Sequence, residues 1–119
     1  MNWKVVALWV LRVAVAALFL FAGFSKLTGQ PMMIDTFDKV GVGQWFRYVT
    51  GLLEVGGGIA VLIPAASVWA ACLLLLVDVG AFVAQVAVLH EDWIHTIVIG
   101  VVLAAVIYLQ TGRLAPARA

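Results

Sequence analysis

The chain has 119 residues, 66% hydrophobic and 11% charged, with a formal net charge of +1. Soluble domains carry about 25% charged residues, so a water-soluble core of this size has no use for so much apolar surface, and the near-neutral balance offers no basic face to nucleic acid. The single cysteine, Cys72, lies in an apolar run and excludes both an intramolecular disulfide and a CxxC redox centre.

The apolar residues fall into four blocks, each near the roughly 20 residues that span a hydrocarbon core of about 30 Å at about 1.5 Å rise per residue. The first covers about residues 4–27. Arg12 breaks its apolar centre, so it reads as a retained helix; the alternative is a signal peptide cleaved near Ala14-Val15-Ala16. The longest connection follows, with Pro31, Asp35, Asp38, Lys39, Gly41 and Gly43, and its 32–40 stretch is expected to lie as a short surface helix. Trp45, Phe46, Arg47 and Tyr48 form an amphipathic cluster suited to the headgroup region. They open a second span over about 44–63, which ends before Pro64 in a two- or three-residue turn.

A third span is expected over about 66–89 and a fourth over 93–110, joined by the polar turn His90-Glu91-Asp92-Trp93. Short turns make neighbouring helices antiparallel. The expected fold is therefore all-α: an integral membrane four-helix antiparallel bundle, one domain over 1–119 with no room for a soluble catalytic domain. Both termini and the Pro64 turn then share a side with Lys4, Arg113 and Arg118, while the other side mixes Lys26, Lys39 and Arg47 with Asp35, Asp38, Glu91 and Asp92. The excess of cations places both termini in the cytoplasm. Small residues let helix backbones approach in lipid, and Gly23, Gly56, Gly57 and Gly58 are expected at helix contacts rather than in a substrate groove.

Arg12, Glu54 and Asp78 each fall deep within a span, where an isolated charge costs at least about 2.5–3.5 kcal/mol. Counting about 1.5 Å per residue from the cytoplasmic ends puts them roughly 12, 14 and 18 Å deep. The coincidence predicts one buried Arg/Glu/Asp network, in which the guanidinium fork joins both carboxylates and the surplus acid holds a proton. Helical periodicity puts Arg12, Gly23 and Lys26 on one face of the first helix, and Asp78 and Gln85 on one face of the third. Lys26 has the alternative of snorkelling to the far headgroups, and the buried charges have the alternative of merely fastening the bundle. His90-Glu91 and His95 approximate a zinc-protease motif, but histidines five apart diverge by about 140° where HExxH needs them four apart. No metal site is expected, and Cys72 reads as a small lipid- or core-facing residue.

The run from Arg12 through Gly23-Phe-Ser-Lys26-Leu27, followed by Gly51-Leu-Leu-Glu54-Val-Gly-Gly57, resembles the DoxX-like family pattern of an arginine, a G-x-x-K-L and a G-x-x-E-x-x-G. The resemblance implies a four-helix protein of the cell's inner membrane, with relatives among quinone-linked sulfur-oxidising subunits and components of membrane oxidoreductase complexes. It singles out Arg12, Lys26 and Glu54 as ligand or proton residues; Asp78 and Gln85 join them on helix geometry alone. No residue suited to covalent cofactor attachment is visible, so an electron carrier would be a diffusible quinone or belong to a partner. Expected partners are the bilayer and either a membrane oxidoreductase or a second copy of the chain. Three functions compete: a quinone-linked redox subunit, a small proton-coupled transporter, and a non-catalytic assembly or structural subunit.

Overall fold

Local sequence sets where each helix begins and ends. The computed structural model describes residues 2–118, with side chains over 2–110. Helix α1, Trp3–Leu27, starts at Asn2, whose side-chain oxygen accepts from the Lys4 amide at 2.9 Å, as an N-cap residue does. Helix α2, Pro31–Val40, has proline in its first turn, where the missing N–H costs nothing, and stops at Gly41 with φ 82°. Helix α3 runs Gln44–Ala60 and helix α4 Ser67–Val83. The chain then continues as a π-helical segment, Ala84–Leu89. Helix α5, Ile94–Arg118, begins where the Asp92 carboxylate accepts from the Ile94 amide at 3.0 Å. No strand is present among the described residues.

These bounds differ from the expected spans in three respects, the first being that α5 runs on to Arg118 where the fourth span was expected to end near 110. The connection at Pro64 occupies residues 61–66, six residues where a tight two- or three-residue turn was expected, because α3 stops at Ala60 and α4 starts only at Ser67. The third apolar block is not one regular helix but α4 plus the π segment.

Helix α1 packs against α3 and α5, and α4 packs against the same two. Small α2 lies on α3 and the π segment. The core is built from Leu8, Val15, Ala16 and Phe19 of α1, Val61 just past the end of α3, Ala70, Ala71 and Leu74 of α4, and Leu103 and Val106 of α5. Helix α3 contributes glycines instead of large side chains: Gly51, Gly57 and Gly58 are buried in it. A Cβ at position 23 would lie 2.7 Å from the Gly51 carbonyl oxygen and 2.7 Å from Val55 Cγ2, so α1 and α3 touch backbone to backbone there. At Gly58 a Cβ would meet Leu20 Cγ at 3.2 Å, and at Gly57 it would meet Leu74 Cδ2 at 2.7 Å. Position 23 faces 51 while 16–20 face 58, so α1 and α3 run in opposite directions. Gly56 departs from expectation: it is exposed, with no atom near the place its Cβ would take. Successive helical residues turn by about 100°, so three consecutive glycines cannot all face neighbours; Gly57 meets α4, Gly58 meets α1, and Gly56 points outward.

The outer surface is apolar. Phe21 is 76% exposed, Trp69 78% and Leu76 71%, far beyond the small scattered patches of a soluble monomer. Two helical stretches, Trp3–Leu27 and Ser67–Leu89, are long and apolar enough to cross a membrane, and Ile94–Gln110 is a shorter apolar stretch. The 17-residue α3 falls short of the expected second span over 44–63 and carries buried Arg47 and Glu54. The side chains of Arg113 and Arg118, which were counted for orientation, lie outside the described residues.

Candidate functional site

The residues singled out in the sequence separate into three places. The first joins α1 to α3. Lys26 Nζ lies 2.7 Å from Glu54 Oε1, with side chains 13% and 7% exposed. From the antiparallel register, Lys26 stands about 9 Å above Glu54 along the helix axes. Helical side chains lean toward their own N-terminus. Lys26 on the ascending helix therefore leans inward and Glu54 on the descending helix leans up to meet it. Lys26 does not snorkel outward; its ammonium is turned onto the Glu54 carboxylate instead. The Gly23–Gly51 contact lies between the two levels and brings the backbones close enough for the pair to close.

The second place holds Arg12, 3% exposed. Its Nε donates to Ser67 Oγ at 3.2 Å and its Nη2 to Gln110 Oε1 at 2.8 Å, while Gln110 Nε2 donates to Ser67 Oγ at 2.9 Å. The guanidinium also lies over the Trp9 ring, 4.7 Å from its centroid. The expected single network of Arg12, Glu54 and Asp78 is therefore not formed. The count of depths took Cα positions alone, whereas Arg12 leans toward the helix start and lands at the level of Ser67, about 16 Å along α4 from Asp78.

The third place lies between α4 and α5. Asp78 is 7% exposed, and its Oδ2 lies 3.0 Å from where a Cβ on Gly100 would stand. Among the described residues it accepts no hydrogen bond and pairs with no cation within salt-bridge distance. Seven residues on, within the π segment, the Gln85 Oε1 is buried without a donor. The histidines are not brought together as metal ligands: His90 is an exposed left-handed residue with φ 53°, and half-exposed His95 lies 4.0 Å from Asp92. Cys72 is exposed on the apolar surface.

Four buried polar residues lie outside the expected site: Ser67, Thr96 and Gln110, and Arg47, which was expected in the headgroup cluster but is buried instead. Arg47, 4% exposed, donates to Gln44 Oε1 at 2.7 Å and to the Lys26 carbonyl, and stacks on Tyr48 at 4.3 Å. It satisfies a carbonyl at the end of α1, as basic residues at helix C-termini do, and so fastens the helix that presents Lys26. Ser67 and Gln110 complete the Arg12 set. The available signal was the orphan carbonyls every helix end leaves, and the need of a buried guanidinium for acceptors.

The family model described as the DoxX-like family matches residues 10–109. The chain belongs to the DoxX-like family. The matched range takes in Arg12, Lys26, Glu54, Asp78 and Gln85 and stops one residue short of Gln110. No curated protein and no solved structure matches this DoxX-like chain. Family membership and the apolar helices together point to a membrane protein.

Proposed function

We propose that this DoxX-like protein is a redox-associated subunit of the cell's inner membrane, folded as a four-helix antiparallel bundle with α2 at the surface and both termini cytoplasmic, and that the Lys26–Glu54 pair is its ligand site. The observation that carries the reading is the ion pair itself: a lysine and a glutamate turned toward each other inside apolar helices, at the two charged positions of the family's G-x-x-K-L and G-x-x-E-x-x-G motifs. Ionisable side chains in apolar spans face an interior and mark ion, proton or ligand paths.

The donor set suits a quinone headgroup. The Lys26 ammonium can donate to a carbonyl oxygen and the Glu54 carboxylate can accept from a hydroxyl. Lys26 retains part of its exposure and so reaches the edge of the helix pair. A quinone, when bound, supplies two-electron, two-proton chemistry; here Glu54 would hold or release the proton while Lys26 balances its charge. An apolar groove of 610 Å³ along Val5, Val6, Trp9, Val10, Val13 and Ala14 lies toward the opposite end of α1 from Lys26, so an isoprenoid tail would run along the outer face of the helices. The Arg12–Ser67–Gln110 set favours a second reading, a structural subunit, because its hydrogen bonds fasten α1, α4 and α5 to one another.

Mass spectrometry under native conditions, with quinone extraction, separates the two. Protein purified in mild detergent is expected to carry a near-stoichiometric quinone, and a Glu54→Gln variant of the same fold to lose it. A partner protein co-purifying with both, and quinone with neither, would replace the redox site with a structural role.

A further inference from the structure

At the upper end of the bundle, where α1 finishes, the helices part. Lower down α3 and α4 are in contact, with Leu74 against the backbone of Gly57, but the π segment that continues α4 packs on neither α3 nor α5. Helix α2 fills the wedge this leaves, touching α3 on one side and the π segment on the other.

A row of polar residues leads down from α2 to the ion pair. Gln44, Arg47, Gly51 and Glu54 fall within about 80° of one another around α3, on the side that meets α1. Gln44 Nε2 donates to the Ile34 carbonyl and to Asp38 Oδ1 of α2, both at 2.9 Å. Its Oε1 accepts from Arg47 Nε at 2.7 Å, Arg47 Nη1 donates to the Lys26 carbonyl, and Lys26 Nζ meets Glu54. Every step from α2 to Glu54 is thus a contact between named residues. Helix α2 also shelters the row. Ile34 Cδ1 and Arg47 Nη1 converge on Gly29, 3.6 and 3.5 Å from where a Cβ would stand, and Arg47 is buried although it lies on the first turn of α3.

The hold on α2 is slight. Phe37 is its one buried side chain, edge-on to Phe46 with ring centroids 6.0 Å apart. Gly29 before it and Gly41 after it take φ of 72° and 82°, backbone that glycine enters and leaves freely. Closure also leaves Gln85 Oε1 of the π segment buried without a donor, an acceptor that water would satisfy once α2 lifted.

We propose that α2 is a gate over the Lys26–Glu54 pair, turning on Gly29 and Gly41, latched by Gln44, and lifting from the wedge to open the pair to the upper surface. The inference rests on that pair being the ligand site, and it gives the site a polar entrance for a headgroup. Lifting takes both acceptors from the Gln44 amide. The residue that steadies Arg47, and through it the Lys26 carbonyl, is therefore freed as the way opens, so gate and site are coupled through residues in contact. A few residues at the ends of an element are the usual hinges of such closures.

The test is carbodiimide cross-linking of the full chain in lipid nanodiscs. A water-soluble carbodiimide activates a carboxylate, a neighbouring lysine amine displaces the reagent, and an amide forms with net loss of one water, read by mass spectrometry of the digested chain. Exposed Asp35–Lys39, 3.2 Å apart, reads the reactivity of the reagent, and Lys26–Glu54 reads access. The Lys26–Glu54 link is expected to form more slowly than Asp35–Lys39 in the wild type. In Gln44→Ala it is expected to form about tenfold faster than in the wild type, as loss of a latch of two hydrogen bonds predicts. Phe37→Ala, which removes the other anchor, is expected to act in the same direction. A lipid-soluble carbodiimide, which does not need the gate, is expected to react at one rate in all three proteins. Wild-type links forming equally fast, a water-soluble rate unchanged by Gln44→Ala, or a rise with both reagents, the mark of a loosened fold, would overturn the gate. Quinone extraction from the same samples reads the ligand separately, so failure of the quinone reading and failure of the gate are told apart.

Discussion

Glu54 and Asp78 are equally hidden, 5% and 7% exposed, yet the two halves of the molecule treat them in opposite ways. On the α1/α3 side, glycines bring the backbones together and Lys26 leans down onto Glu54. On the α4/α5 side, a glycine opens space in front of Asp78 and no cation among the described residues pairs with it. One carboxylate meets a cation; the other faces a gap in the neighbouring helix. Burial alone therefore does not assign a role to an acid in an apolar helix. What faces it does.

The sharpest way to break the comparison is to make the halves alike. Lys26→Met leaves Glu54 buried without its cation and is expected to cost about 3–5 kcal/mol, whereas removing both charges with Lys26→Met and Glu54→Leu together recovers most of that loss. Unfolding of each variant in mixed micelles by added SDS reads both, and a double variant as weak as the single would sink the pairing argument. Gly23→Ala comes next. Its methyl would press on the Gly51 carbonyl and Val55 backbone, 2.7 and 2.9 Å away, and overpacking of this kind costs about 1–3 kcal/mol, well above the roughly 1 kcal/mol gained from helix propensity. The same unfolding assay is expected to show a net loss.

Much of this contrast could be read from the residues and some could not. Lys26 and Glu54 stood out because each is a charge in an apolar block, and helical periodicity put Lys26 with Arg12 on an inward face. What the count of depths missed is direction: side chains on α1 lean toward its start, which separates Arg12 from the acids and delivers Lys26 to one of them. Gly56 was grouped with its neighbours because three glycines in a row give no phase to the pattern. The π segment left no mark at all, since Gln85-Val-Ala-Val-Leu89 is as compatible with an α-helix as with what forms. Ser67 and Gln110 became visible as partners only once the folded chain brought residues far apart in sequence to one guanidinium.

Two smaller effects sharpen the picture. Ser67→Ala removes the hydroxyl that both Arg12 and Gln110 use and is expected to cost about 1–3 kcal/mol, the penalty for leaving buried donors unsatisfied, visible as a lower thermal midpoint. Gly56→Ala, at an outward position with open space, is expected to be neutral or to stabilise by up to about 1 kcal/mol. A loss there comparable to that of Gly23→Ala would mean that something packs on this face after all.

The π segment also works as a spacer. Its i→i+5 bonds fit one more residue into a turn than the α-ladder does, so the chain leaving α4 emerges rotated by about one residue, or 100°, from where an unbroken α-helix would release it. The azimuth of the 90–93 turn, and with it the side from which α5 sets out, is thus metered by a single inserted residue. Deleting one residue within 84–89 would swing that turn around the helix axis while leaving the composition of the segment almost unchanged.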